Sequence, residues 1–260
     1  MAAVIVAVLG VFLSGWVTDA RGVGAGVTAV TGSASPLVLA GAFVVVATAA
    51  GVIVGRAANA AVGLFVVGWG VACLAMRTTG VSDLVFDGAS FQAAFANGIV
   101  VFGLALASSI VVFKMCGPLP DLPRKDEEGR DDSFRPETIA RMAAASLVAI
   151  PIVWLVVRND LRGQAIGGAA LAGAAAAFAM RFAGQGRQPV LIYSLPILAV
   201  VLVQLFGAVP TKPDAAFAAG SMSPLSRVMP LDLLGGIFMG VSVGLGLSRP
   251  SGHEQGESKG

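Results

Sequence analysis

The groups that could do chemistry in this chain are few and scattered. His253, the single histidine, sits in the polar stretch that ends the sequence, so none of the apolar runs carries a histidine relay or haem ligand. No HExxH spacing occurs, and a zinc protease site needs its two imidazoles on one helix face. Cys73 falls inside an apolar run and Cys116 at the edge of a hydrophilic one, which argues against a bridge between them. Serine hydrolysis would require a base beside Ser108, Ser109 or Ser146, and no histidine is placed for it. Lys114, Lys125, Lys212 and Lys259 all fall outside the apolar runs, so a Ser–Lys dyad is equally hard to assemble. An enzyme is therefore not expected, nor any cofactor or metal.

The polar residues inside apolar runs form two pairs at helical spacing. Asn97 and Ser108 are eleven residues apart, as are Tyr193 and Gln204; eleven residues is about three turns, so each pair shares a face. Together Asn97, Ser108, Tyr193 and Gln204 are candidates to line a polar cleft for a small solute. The plainer alternative is hydrogen bonding between helices, worth about 0.6 kcal/mol per contact in membranes. Every Asp, Glu, Lys and Arg can be placed at a helix end or in a loop, Asp232 and Arg141 at helix starts. An ionisable residue deep in a membrane is the usual mark of an ion path, so this distribution speaks against proton coupling through a buried carboxylate.

The elements that must position these residues are membrane helices. Of the 260 residues 56% are apolar and 12% charged, with a mean hydropathy of +0.85; a soluble domain carries about 25% charged residues. Apolar runs cover 2–17, 37–55, 57–76, 93–113, 138–157, 163–180, 189–209 and 231–248. A run of about 20 residues makes about 30 Å of helix, enough to cross the hydrocarbon. The expected fold is an all-α, polytopic helix bundle of about eight transmembrane helices. They are arranged as four (residues 1–113), a hydrophilic linker (114–137) and four more (138–248), followed by a disordered polar tail (249–260). The first run reads as a retained helix, since a signal peptide would carry a positive n-region; cleavage after Ala20 is the alternative. The glycines between 18 and 36 lack the context of a phosphate loop.

Several local features refine this plan. Arg56 alone separates the second and third runs, and placing it at mid-membrane would cost about 2.5–3.5 kcal/mol, so a tight hairpin is expected there. The loop after Arg77 places Phe86 and Phe91 near the interface. Pro151 and Pro196 are expected to interrupt their helices, which membrane bundles tolerate. Gly236, Gly240 and Gly244 recur every four residues, as do Ala47, Gly51 and Gly55. Such stripes let another backbone approach closely, within the chain or from a partner. The sixth run, 163–180, holds nine Ala and four Gly among 18 residues. It inserts weakly by itself and is expected to be central, enclosed by other helices rather than by lipid. LAMRTTG at 74–80 echoes FAMRFAG at 178–184, each closing a run that follows an arginine. An offset of three helices would relate the two as an inverted repeat.

Lysine and arginine bias sets orientation. With both ends on one side, that side holds 11 of the 17 basic residues. Lys114, Arg124, Lys125, Arg130, Arg135 and Arg141 supply the excess. The linker is therefore expected in the cytoplasm with both termini, in a bacterial-type cytoplasmic membrane. Its 24 residues span about 27 Å even as a flexible coil, so the fourth and fifth helices need not be neighbours. The basic residues form no stripe for nucleic acid. The expected surroundings are a lipid bilayer and a membrane-protein partner or second copy. On the sequence, a non-catalytic structural or accessory subunit of a membrane complex is the leading function. A permease or channel for a small, mostly uncharged solute is the alternative.

Overall fold

The computed structural model describes residues 1–14, 36–78, 80–86, 90–117, 136–184, 189–207 and 212–247. Most of the linker, the 18–35 loop and the 249–260 tail, on which several expectations fall, lie outside the described residues. The protein is an all-helical membrane bundle. Six helical stretches are long and apolar enough to cross a bilayer, and two shorter apolar helices, near residues 2–12 and 60–75, accompany them.

In chain order the helices are α1 (Ala2–Ser14), α2 (Pro36–Ala57), α3 (Ala60–Ala75), α4 (Val81–Phe86), α5 (Phe91–Cys116) and α6 (Pro136–Ser146). There follow α7 (Ala149–Val156), α8 (Arg162–Gly184), α9 (Pro189–Gly207), α10 (Pro213–Ala218), a 3-10 turn (Pro224–Arg227) and α11 (Pro230–Leu247). Local chemistry sets many of these limits. Asn59 caps α3 by accepting from the Val62 amide at 3.0 Å. The hairpin expected at Arg56 is present, and the arginine is exposed, its Nε donating to Met115 O at 3.3 Å. Ser90 caps α5, and Gly117 ends it at φ 84°, a conformation that costs glycine nothing.

Pro151 breaks its span where the lack of an N–H dictates. The carbonyl four residues back, Leu147 O, loses its helical donor; it accepts instead from Ile150 N at 3.0 Å, and the chain tightens between α6 and α7. Pro196 does not have the expected effect: α9 runs through it unbroken. That helix is packed by α5, α6, α8 and α11, and close neighbours hold a membrane helix straight across one missing bond. Phe91 also departs from expectation. It is buried, not interfacial, in an apolar cluster with Val81, Leu84, Phe95 and Met229, while Phe86 stays exposed and meets Phe217 edge-on at 6.0 Å. Short helices α4 and α10 build this cluster from segments that read as loop.

The bundle is organised around α11, which lies between α3 and α8. A Cβ on Gly235 would stand 2.7 Å from Ala72 N, one on Gly68 2.9 Å from Gly235 O, and Ser242 bonds Ala61 O. Rising numbers on α11 thus meet falling numbers on α3, and the two run antiparallel. On the other side Gly236, Gly240 and Gly244 press against Ile166, Ala170 and Ala174 of α8, so α8 runs parallel to α11. At Gly240 the added Cβ would run into the Ala170 carbonyl, and at Gly244 it would come within 2.6 Å of Ala174 O. Gly51 and Gly55 lie in the same way against Gly63 of α3, with Cys116 beside Gly55. The small side chains of α8 are what permit this approach. Of its larger ones Ile166 and Met180 are buried, while Leu171, Phe178 and Phe182 are exposed. The helix is therefore not enclosed on all sides, as its weak hydropathy led one to expect; one flank faces α11 and the other carries its lipid-compatible residues.

Around that axis α2, α3 and α5 form one set and α6 to α9 a similar one, with α1 packed on α3. In one, α2 packs on α3 and α5; in the other, α6 and α7 pack on α8 and α9. The sets meet where α5 crosses α9, and α11 touches all four of α3, α5, α8 and α9.

Gly240→Ala is expected to lower stability by about 1–3 kcal/mol through overpacking against the Ala170 carbonyl. Gly246→Ala, in the same helix with open space at its Cβ, should leave it unchanged. Thermal unfolding of both variants in mild detergent checks this, and equal midpoints would refute the close-packing argument.

Candidate functional site

The groups with the strongest chemical character meet where the C-terminus of α3, the N-terminus of α8 and the N-terminus of α11 come together. Asp232 occupies the first turn of α11 and is fully buried. Its Oδ2 accepts from the Met229 amide at 3.0 Å, as an acidic side chain reaching back over a helix start does. Arg162, at the first residue of α8, donates from one terminal nitrogen to both Asp232 oxygens, at 2.7 and 2.8 Å. Its other terminal nitrogen donates to the Thr78 carbonyl at 2.7 Å and to Thr78 Oγ1 at 3.2 Å. Thr78 Oγ1 in turn donates to Ala75 O at 3.0 Å. A charge placed out of water must be compensated by a partner and by hydrogen bonds, and both ions here have each. The helix-start dipole adds to the compensation of the carboxylate.

Neighbouring contacts extend this end of the bundle. Asp83 Oδ2 accepts from Gly80 N at 2.7 Å and starts α4. Gln164, in the first turn of α8, accepts from the amides of Arg158 and Asn159 at 3.0 and 2.9 Å. Arg227 of the 3-10 turn donates to the Arg158 carbonyl and lies 3.6 Å from Asp160. The α7–α8 loop and the segment before α11 are thereby tied to one another.

The four residues expected to line a cleft are distributed over two levels. Gly98 meets Val201 and Phe113 meets Tyr193, so α5 and α9 are antiparallel. That puts Asn97 and Gln204 toward the Asp232 end, and Ser108 and Tyr193 toward the other. Asn97 is half-buried. Gln204 is fully buried on α9, and its amide nitrogen donates to the carbonyls of Leu225 and Val228, both at 2.8 Å. Two carbonyls around one nitrogen fix which way the amide faces. Ser108, on α5, lies 2.9 Å from the Thr48 hydroxyl of α2. Tyr193 is buried with its hydroxyl 2.9 Å from Ser242 of α11. Ser242 has carbonyl acceptors in Ala61 and Phe238 at 2.9 and 2.8 Å. With its one hydrogen on a carbonyl, Ser242 receives the hydrogen bond from Tyr193. At the same end Arg181, late in α8, donates to Leu245 O of α11 at 3.3 Å. The structure thus brings each of Ser108, Tyr193 and Gln204 to a partner on another element, and does not bring the four to one point.

The Arg162–Asp232 pair is what sequence reading missed. It overturns the expectation that no carboxylate is buried: Asp232 does stand at a helix start, but that helix start is packed against the start of α8 and the end of α3 and is fully buried. The available signal was positional. Asp232 follows Pro230 by two residues, in the first turn of a glycine-striped helix, and Arg162 opens the Ala/Gly-rich helix with the composition to pack against it. Parallel close packing of those two starts brings opposite charges together. Among the described residues no three of His, Cys, Asp and Glu gather as metal ligands would. The chain matches no protein-family model, no curated protein and no solved structure.

Removing one member of a buried pair leaves the other uncompensated, at a cost of about 3–5 kcal/mol. Asp232→Asn and Arg162→Gln are each expected to destabilise strongly, and the double variant by much less than their sum. Guanidinium or heat denaturation of the three variants in detergent measures the coupling; additive effects would show that the pair does not hold these helices together.

Proposed function

We propose that the protein passes a small, mostly uncharged solute across the membrane. The observation that carries the proposal is the arrangement of two three-helix units. The α2, α3 and α5 unit and the α6–α7, α8 and α9 unit pack alike, yet α3 runs antiparallel to α11 and α8 parallel to it. Units of opposite direction sharing one interface are the architecture of many secondary transporters, with the solute path where the units meet. Here that interface is formed by α5, α9 and α11.

The glycine stripes and a lack of buried charge both suit an accessory subunit, and the burial of Asp232 removes the second of these grounds. The solute class follows from how the charge is held. The buried carboxylate is matched by Arg162, and a charged solute would need a counter-charge that is not already committed. The hydroxyls and amides at the interface would suit a neutral hydrogen-bonding molecule that exchanges for the partners they hold here.

A non-catalytic structural or accessory role in a membrane complex is the second reading. What favours it is the pairing of Ser108, Tyr193 and Gln204 with groups on other elements, which suits a closed bundle. The two readings separate in proteoliposomes. Osmotic swelling with a panel of small neutral solutes, such as urea, glycerol and larger polyols, should be faster than in protein-free vesicles and should cut off with solute size. Swelling rates equal to empty vesicles across the panel, together with a stoichiometric partner retained in mild detergent, would replace transport by the accessory role.

A further inference from the structure

We infer that α11 is a rocker between two inverted repeats, residues 36–116 and 136–207, and that polar clamps at its two ends act as alternating gates. The inference rests on the inverted arrangement that also supports the transport reading, but it concerns conformation and is tested without a solute.

The long helices of the two repeats correspond in order, while the short α4 lies between α3 and α5 and no helix stands in that place between α8 and α9 among the described residues. Each repeat opens on a proline-started helix, at Pro36 and at Pro136. Each then turns, after Arg56 in the last turn of α2 in one and through the loop that holds Arg158 in the other, and enters an inner helix against α11, α3 or α8. LAMRTTG starts in the last turn of α3 and runs past its end, and FAMRFAG closes α8; each repeat ends with a helix, α5 or α9, that packs on its counterpart and on α11. The similarity of sequence alone is weak in a chain this rich in Ala and Gly. Its weight comes from falling on the two helices that the packing makes equivalent.

Direction of the helices then decides which ends meet. Where α11 starts, it meets the end of α3 and the start of α8, and there Asp232, Arg162 and the Thr78 carbonyl and hydroxyl tie the three together. Where α11 finishes, it meets the start of α3 and the end of α8. There Ser242 bonds Ala61 O and Tyr193, and Arg181 reaches Leu245 O. Each clamp therefore joins both repeats to the shared helix, and each lies at an opposite end of it. Between the clamps the contacts are glycine against backbone, with Gly240 on Ala170 near the middle of α11. Such a contact holds the two backbones together by dispersion and offers no directional bond against tilting. With both clamps made, the molecule is closed at both ends. Weakening one clamp shifts the population toward conformers open at that end, because only those conformers have lost the interaction.

The test uses full-length protein in lipid nanodiscs, with Cys73 and Cys116 replaced by serine and spin labels introduced in pairs. Arg77→Cys with Leu161→Cys reports the Asp232 end, and Ala58→Cys with Phe182→Cys the other; all four sites are exposed. Asp232→Asn should lengthen the 77–161 distance by several ångströms and leave the 58–182 distance unchanged or shorter. Thr78→Val should do the same to a smaller extent, and it decides the matter where Asp232→Asn does not fold. Ser242→Ala should produce the reverse pattern, lengthening only 58–182. Variants that lengthen both distances alike, or neither, would overturn the gates and leave the clamps as static packing. Reciprocal shifts without solute flux would retain the gates and remove the transport reading; flux without reciprocal shifts would remove the gates alone.

Discussion

Helices in a bilayer gain nothing from hiding apolar surface from each other, because lipid is as apolar as they are, and must instead find contact close enough for dispersion and backbone complementarity to matter. The protein meets this constraint at α11. Glycines at 235, 236, 240 and 244 bring its backbone against α3 on one side and α8 on the other. Much of the composition follows from that one requirement. The alanine and glycine content of α8, which makes it a poor membrane helix in isolation, makes it a good neighbour for α11. The same holds for Gly63 and Gly68 of α3, the first facing α2 and the second α11.

Close packing of helix ends creates a second demand. First-turn amides and last-turn carbonyls have no partners within their own helix, and packing three termini together removes water from them. At one end Asp232 and Arg162 answer this with full charges, Asp232 serving the Met229 amide and Arg162 the Thr78 carbonyl. At the other, Arg181 serves the last-turn carbonyl of Leu245, while Ser242 and Tyr193 join the elements through neutral hydroxyls. An ion pair is therefore no anomaly in this bundle. It compensates helix ends that the glycine contacts have brought together, and its net neutrality is what allows it to be buried.

Much of the architecture was legible in the sequence because its determinants are local. Apolar runs located the spans, the cost of burying Arg56 placed the α2–α3 hairpin, and the missing N–H of Pro151 located a break. What escaped depends on neighbours. Pro196 carries the same local defect as Pro151, yet α9 continues because helices surround it. Phe91 and the short helices α4 and α10 read as interfacial loop, since six-residue helices have no periodicity to detect. The Arg162–Asp232 pair joins residues seventy positions apart; each looked like an ordinary helix-end charge until the other was known to face it. Asn97, Ser108, Tyr193 and Gln204 were grouped by spacing along single helices, and spacing is silent on what the facing helix presents.

The two outer helices of the repeats differ in one respect that bears on how the bundle deforms. Helix α2 is continuous over its 22 residues, whereas its counterpart is split between Ser146 and Ala149 by the proline that follows. A continuous helix resists bending along its whole hydrogen-bond ladder; a split one bends at the gap with little loss. Any displacement of α11 is thus borne by a rigid strut on the α3 side and by a jointed one on the α8 side. The two sets of helices differ in compliance, and bending of the bundle would gather at Leu147 and Val148.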